Sequence, residues 1–177
     1  MVKVGINGFG RIGRLILRAI LENYKDKIQV VAINDLGSIE TNAHLIKYDS
    51  THGIINDEIT TSKDGFKISN QNIKVFSERD PENIPWGKAG ADIILECTGI
   101  FLDKKTSEKH LKGGAKKVII SAPGKEVDFT IVQGCSNNYS NEAHWGSTFW
   151  LTGANRYSVP GQNMANSISV SYTHLRA

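Results

Sequence analysis

Over residues 2–132 the apolar positions fall into short β-branched runs separated by stretches of helical period. Residues 2–6 (VKVGI), 28–34 (IQVVAIN), 91–97 (ADIILEC), 117–121 (KVIIS) and 128–132 (DFTIV) read as strands. Their apolar runs are continuous rather than alternating, as in a parallel sheet covered by helices on both faces. Between the first two runs, Ile12, Leu15, Ile16, Ala19 and Ile20 recur at helical spacing. They predict a helix over residues 11–24 that packs through this stripe, with Arg14, Arg18 and Glu22 on its wetted side. Ser38 predicts the cap of a helix running to about residue 47, Asp80 and Pro81 suit the start of another, and residues 103–112 predict one stopped by Gly113 and Gly114. Residues 58–77 change period and read as three short strands turning at Asp64-Gly65 and Asn70-Gln71. The pattern predicts an α/β fold: a doubly wound, mostly parallel sheet with an inserted β-meander.

The first run ends in Gly8-x-Gly10-x-x-Gly13 and leads directly into the predicted helix. Gly8 allows the tight turn, Gly10 leaves room for a pyrophosphate against the backbone, and Gly13 lets helix and sheet approach closely. N–H groups of the first helical turn then face an anion. Arg11 and Arg14 stand in that turn, where positive charge opposes the helix dipole, and a bound anion removes the conflict. Such a glycine pattern alone is weak. Here a strand precedes it, a helix follows, and Asp35 ends the second strand about twenty residues on, where a dinucleotide fold places the carboxylate that holds the adenosine ribose. The fold is therefore expected to be of Rossmann type, with ligand beyond the strand ends near residues 8–12, Asp35, Thr98 and Ser121. An ionised Asp35 about 5 Å from a 2′-phosphate costs roughly 3 kcal/mol at an effective dielectric near 20. Leu36 offers no compensating donor, so the cofactor is expected to be NAD rather than NADP.

Composition narrows the partners. In 177 residues, 21 basic side chains against 18 acidic ones leave a dispersed net charge of +3, which argues for neither nucleic acid nor a membrane surface. No apolar stretch reaches transmembrane length, and the first residues read as a buried strand rather than a signal peptide. Cys97 and Cys135 have no metal-binding or redox spacing, so no metal is expected and a cytoplasmic location is. Cys97 reads as a packed thiol at a strand end, and His44 and His52, without paired carboxylates or cysteines, read as structural. Beyond about residue 132 the character of the chain changes: no lysine follows Lys125, and serine and asparagine become frequent. Residues 1–134 are expected to form the dinucleotide-binding domain, and residues 135–177 a divergent tail, poorly ordered or artefactual, in place of a catalytic domain.

The motifs just described, in order, are INGFGRIGR at residues 6–14, IND at 33–35, KYDSTHG at 47–53, SERDP at 77–81, ECTGIF at 96–101 and SAP at 121–123. Together they resemble the phosphorylating glyceraldehyde-3-phosphate dehydrogenases over the family's NAD-binding half. The resemblance implies a glycolytic, NAD-dependent oxidoreductase and a homotetramer. It also implies that Arg11 and Ile12, beside Gly8 and Gly10 of the turn, contact the pyrophosphate and Asp35 the adenosine ribose, and that Arg79 borders the adenine and Thr98, Gly99 and Ser121 the nicotinamide side, with Asn7 and Asn34 lining the cofactor. The family's nucleophilic S-C-T-T-N-C motif has no counterpart; the corresponding stretch reads STFWLTGA at residues 147–154. Cys135 lacks the helix start that would activate it, and His144 lies in a stretch without clear period. The chain is expected to have no catalytic residues and no turnover. The alternatives are an inert dinucleotide-binding module and part of an erythrose-4-phosphate dehydrogenase.

Overall fold

The β-branched run at the start of the chain forms β1 (Val2–Asn7), and the glycine turn feeds α1 (Arg11–Asn23) and then β2 (Ile28–Asn34). The computed structural model describes residues 1–132 and 148–152. Ser38 accepts a 3.1 Å hydrogen bond from Thr41 N and caps α2 (Ile39–Lys47), which leads into a small hairpin of β3 (Tyr48–Asp49) and β4 (Gly53–Ile54). Three strands follow: β5 (Ile59–Ser62), β6 (Gly65–Ile68) and β7 (Gln71–Phe76). Asp80 caps a 3-10 turn (Pro81–Asn83), and α3 (Trp86–Ala89) returns the chain to β8 (Ile93–Glu96). The predicted helix over residues 103–112 is two short ones, α4 (Lys104–Ser107), capped by Asp103, and α5 (Lys109–Lys112). β9 (Lys117–Ile120), β10 (Phe129–Val132) and β11 (Thr148–Thr152) complete the described elements.

Among the described residues the main sheet has nine strands in the order β10-β11-β9-β8-β1-β2-β7-β6-β5. From β1 the chain moves outward through β2 to β7 on one side, then crosses back to lay β8 and β9 on the other. A crevice therefore opens beyond the carboxyl ends of β1 and β8, where the two directions of winding part. The expected meander is antiparallel from β5 to β7, yet it extends the main sheet, because β7 runs parallel to β2. Its turns fall one residue earlier than the sequence reading, at 63–64 and 69–70, the second with Ser69 at φ 54°.

Apolar side chains cover both faces. Ile6, Leu17, Ile20, Val30, Ile33, Ile46 and Phe66 pack on the α1 and α2 side; Val31, Ala32, Ile84, Trp86, Ala91 and Ile94 pack on the other. Val31 and Ala32, adjacent in sequence, share a face because the β1–β2 register slips: Val4 faces Val30 and Gly5 faces Ala32. Val31 is thus the extra residue of a bulge, which breaks the usual alternation.

Two expectations for α1 are corrected. Its buried residues are Gly13, Leu17, Arg18, Ile20 and Leu21, while Ile12 and Ala19 are exposed, so the packing face is turned about one residue from the predicted stripe. Arg18, expected in solvent, is only 4% exposed. Its guanidinium donates to Ile46 O (2.7 and 3.1 Å), Lys47 O (3.0 Å) and Gly53 O (3.0 Å), fastening the β3–β4 hairpin to α1. Spacing could not show this, since the accepting carbonyls belong to a different element. Of the expected divergent tail, Thr148–Thr152 is a strand running parallel between β9 and β10, where no strand was read from the sequence. The rest of that tail, with Cys135 and His144, lies outside the described residues.

Candidate functional site

A cavity of about 560 Å³ lies at the crevice. Its lining comes from the glycine loop (Asn7, Gly8, Gly10), the end of β2 (Asn34, Asp35, Leu36), the segment after β7 (Glu78, Arg79) and the segment after β8 (Cys97, Thr98, Ile100, Phe101). Seven of the predicted site residues meet here: Asn7, Gly8, Gly10, Asn34, Asp35, Arg79 and Thr98. Arg11, Ile12, Gly99 and Ser121 are not part of this lining. The Arg11 guanidinium lies 2.9 Å from Thr51 Oγ1, to which it donates. Arg14 reaches back to Phe9 O (2.9 Å) and so braces the glycine loop.

The glycine loop is shaped for a ligand. Gly8 sits at φ 89°, a conformation that favours glycine. A side chain on Gly13 would meet the Gly8 carbonyl oxygen at 2.2 Å, whereas one on Gly10 would meet nothing within 4 Å. Gly10 offers α1 no side-chain cap, and the first turn has no acidic residue. Ser38, Asp80 and Asp103 perform that service elsewhere. The leading N–H groups of α1 thus sit beside an open cavity without a side-chain acceptor, which fits an anionic diphosphate. Asp35 has a second role that its position in the sequence did not reveal. Its Oδ2 accepts from Phe9 N at 2.9 Å and its Oδ1 from Gly37 N at 2.8 Å. It therefore ties the glycine loop to the end of β2, and each oxygen keeps acceptor capacity for a ribose hydroxyl.

The floor is polar and buried. Asn34 Nδ2 donates to Asn7 Oδ1 (2.8 Å) and to Glu78 O (2.9 Å), while its Oδ1 accepts from Glu78 N (2.8 Å). Asn7 Nδ2 in turn donates to Glu96 Oε2 at 2.6 Å. Sequence reasoning missed Glu96, Glu78, Ile100 and Phe101 as site components. For Glu96 there was a signal: a carboxylate ending a strand otherwise built of Ile and Leu must find partners inside the fold. His44 rests against Tyr48, with ring centroids 4.8 Å apart, and His52 pairs with Asp49 at 3.1 Å, both away from the cavity.

A family model described as "Glyceraldehyde 3-phosphate dehydrogenase, NAD binding domain" matches residues 2–104. This chain belongs to the glyceraldehyde 3-phosphate dehydrogenase family. It is 51% identical over 138 residues to the plasmid glyceraldehyde-3-phosphate dehydrogenase of Cupriavidus necator, covering 77% of this chain and 41% of that protein. It is likewise 51% identical over 143 residues to the enzyme of Streptomyces coelicolor (81% and 42%), and 51% identical over 144 residues to that of Geobacillus stearothermophilus (81% and 42%). The chain thus spans about two fifths of the length of the curated relatives it matches. What it carries is the NAD-binding domain of glyceraldehyde 3-phosphate dehydrogenase, and the Rossmann-type fold and the cofactor NAD follow from that membership. Among the described residues, no helix is long and apolar enough to cross a membrane, and no cluster of His, Cys, Asp and Glu is suited to a metal.

In this glyceraldehyde 3-phosphate dehydrogenase domain Cys97 is a free thiol on the cavity wall. Burial pushes it up to about 12; a hydrogen bond from Ser121 offsets part of the shift and the Glu96 charge adds to it. At pH 8 the folded thiol is expected to react with iodoacetamide on the order of a thousandfold more slowly than in the unfolded chain, as peptide mapping will show separately from Cys135. The sign for stability follows. Above about pH 8.5 the unfolded thiol ionises while the folded one stays protonated, so this contribution, intact at lower pH, is lost as pH rises towards about 12.

Proposed function

We propose that the 177-residue chain binds NAD across this cavity through Asn7, Gly8, Gly10, Asn34, Asp35, Arg79 and Thr98, with Arg11, Ile12, Gly99 and Ser121 at its margins, and that the chain alone does not turn over glyceraldehyde 3-phosphate. The observation that carries the reading is the uncapped start of α1 opening, together with the Asp35 carboxylate, onto one cavity. Diphosphate takes the α1 amides, and a ribose hydroxyl donates to Asp35. Leu36 and Ile100, 60% and 73% exposed, supply apolar walls for the adenine, with Arg79 beside them. Bound oxidised coenzyme is a hydride acceptor; the residues described here orient it and supply no nucleophile for an aldehyde.

Residues 1–134 form this domain in our reading, and residues 135–177 stand where the relatives continue into their remaining length without the expected cysteine motif. The family's glycolytic activity belongs on this reading to the full-length relatives, and a cytoplasmic location suits the unpaired thiol. Calorimetric titration tests the site: NAD is expected to bind, and NADP on the order of a hundredfold more weakly because its 2′-phosphate meets Asp35. Equal affinities would refute the assignment of Asp35. The same preparation, given glyceraldehyde 3-phosphate and phosphate, is expected to form no NADH above background. Robust turnover would show that residues 135–177 supply a nucleophile.

A further inference from the structure

Beneath the cavity lies a buried carboxylate whose binding role nothing above has assigned. Glu96 is fully buried at the end of β8. Its Oε2 accepts from Asn7 Nδ2 at 2.6 Å and is 2.9 Å from His110 Nε2. Its Oε1 accepts from Thr98 N at 2.8 Å and from the Thr98 hydroxyl. The proton positions follow from chemistry. Trp86 Nε1, an indole N–H that can only donate, lies 2.9 Å from His110 Nδ1. His110 Nδ1 is therefore the acceptor, and His110 Nε2 carries the hydrogen that goes to Glu96. The two contacts thus account for one ring hydrogen, on Nε2, with Nδ1 taken up as acceptor. Glu96 thus receives four hydrogen bonds, and among the described residues no lysine or arginine pairs with it.

This arrangement does two things. It holds Asn7 and Thr98, which line the cavity on either side of the β1–β8 crevice, and through Asn7 it fixes Asn34 and the Glu78 backbone. It also leaves one uncompensated negative charge under the floor. We propose that Glu96 is a positioning residue of the coenzyme site whose buried charge makes the site bind oxidised NAD, with its positively charged ring, in preference to NADH, whose ring is neutral. The inference rests on the NAD site proposed above. Glu96 is also close to the cavity wall along the chain, since its neighbours Cys97 and Thr98 both line the cavity. A unit charge acting over about 10 Å at an effective dielectric near 20 changes an affinity on the order of tenfold. Salt would screen an exposed charge over that distance but hardly affects a buried one.

The test is the ratio of the dissociation constants for NADH and NAD, measured on the full chain by calorimetry. Damage to the floor weakens both forms together and leaves the ratio in place; loss of the charge moves the ratio. In Glu96→Gln the preference for NAD is expected to fall on the order of tenfold. In Glu96→Asp both affinities are expected to drop, because the shorter side chain cannot reach all its donors, while the ratio stays within about twofold of the parent chain's. An unchanged ratio in Glu96→Gln, or an equal fall in Glu96→Asp, overturns the proposal. Should Glu96→Gln fail to fold by circular dichroism, the parent chain decides. A preference for NAD that persists from about 0.05 M to about 0.5 M salt supports the buried charge, and one that collapses assigns the bias to exposed carboxylates such as Glu78 and overturns it. If the parent chain binds neither form, the site reading falls and takes this inference with it; if both bind without preference, only this inference falls.

Discussion

Gly13→Ala is expected to destabilise the chain by about 3 kcal/mol and to weaken NAD binding at least on the order of a hundredfold. The added methyl would stand 2.2 Å from the Gly8 carbonyl oxygen and 3.1 Å from Ile6 Cγ2, so α1 must back away from β1 or the glycine loop must open. Either movement displaces the amides that face the diphosphate. The loop has little room to yield, since Gly8 is held at φ 89° and Phe9 N is fastened to Asp35 Oδ2 at 2.9 Å. Gly10→Ala is the instructive contrast. Its methyl meets no protein atom within 4 Å, so melting should change little while binding falls, because the methyl enters the space that the proposed binding mode gives to the diphosphate. Urea denaturation with calorimetry separates the two effects. If Gly13→Ala bound NAD like the parent, the close approach of α1 to β1 would have no bearing on the site.

The second large effect concerns Arg18. Replacing it with leucine is expected to cost about 3–5 kcal/mol, read from the urea midpoint at unchanged slope. The guanidinium makes four hydrogen bonds to three carbonyl oxygens, and an apolar side chain of similar bulk takes both bonds from the buried Ile46 O and one each from Lys47 O, which keeps Ile55 N, and Gly53 O. The loss should be local as well as global. The turn between β3 and β4 has its own bracing, with Thr51 N and His52 N donating to Asp49 Oδ1 at 2.9 and 2.8 Å. Those two bonds hold the Asp49 carboxyl well below the usual carboxylate range. What the substitution removes is the attachment of this turn to α1, so hydrogen exchange should rise at Ile55 N, which donates to Lys47 O. A midpoint within about 0.5 kcal/mol of the parent would mean that water satisfies the three carbonyls.

The predictable and the unpredictable parts of α1 lie side by side. That a helix starts at Arg11 was legible, because Gly8, Gly10 and Gly13 mark a strand-to-helix turn. Which face it buries was not, because Ile12 and Ala19 fit a helical stripe as well as Leu17 and Leu21 do. The ambiguity is physical. Period fixes the spacing of buried positions, whereas the sheet beneath fixes their phase, and Gly13 had to lie innermost for the loop to close over it. Arg18 followed that phase into the interior, where carbonyls at the end of α2 and in the hairpin beside it satisfy it. In the same way the meander's strands were legible, but not its turns, which fell one residue earlier, nor that β7 would join β2 in one sheet.

At the site, the residues that spacing could reach were those tied to local chain geometry: the glycine turn and the carboxylate at the end of β2. The sequence by itself determined the alternation of buried strands and helices, the glycine turn and the acidic residue one unit on, because each depends on neighbours within a few positions. Only the tertiary structure decided that Trp86, His110, Glu96, Asn7, Asn34 and Glu78 join in one buried hydrogen-bonded path under the cavity. Those residues come from different strands and helices, and a buried polar group takes its partner from whatever the sheet order brings alongside. The order of strands, with β1 set between β2 and β8, turned scattered polar side chains into the floor of one site.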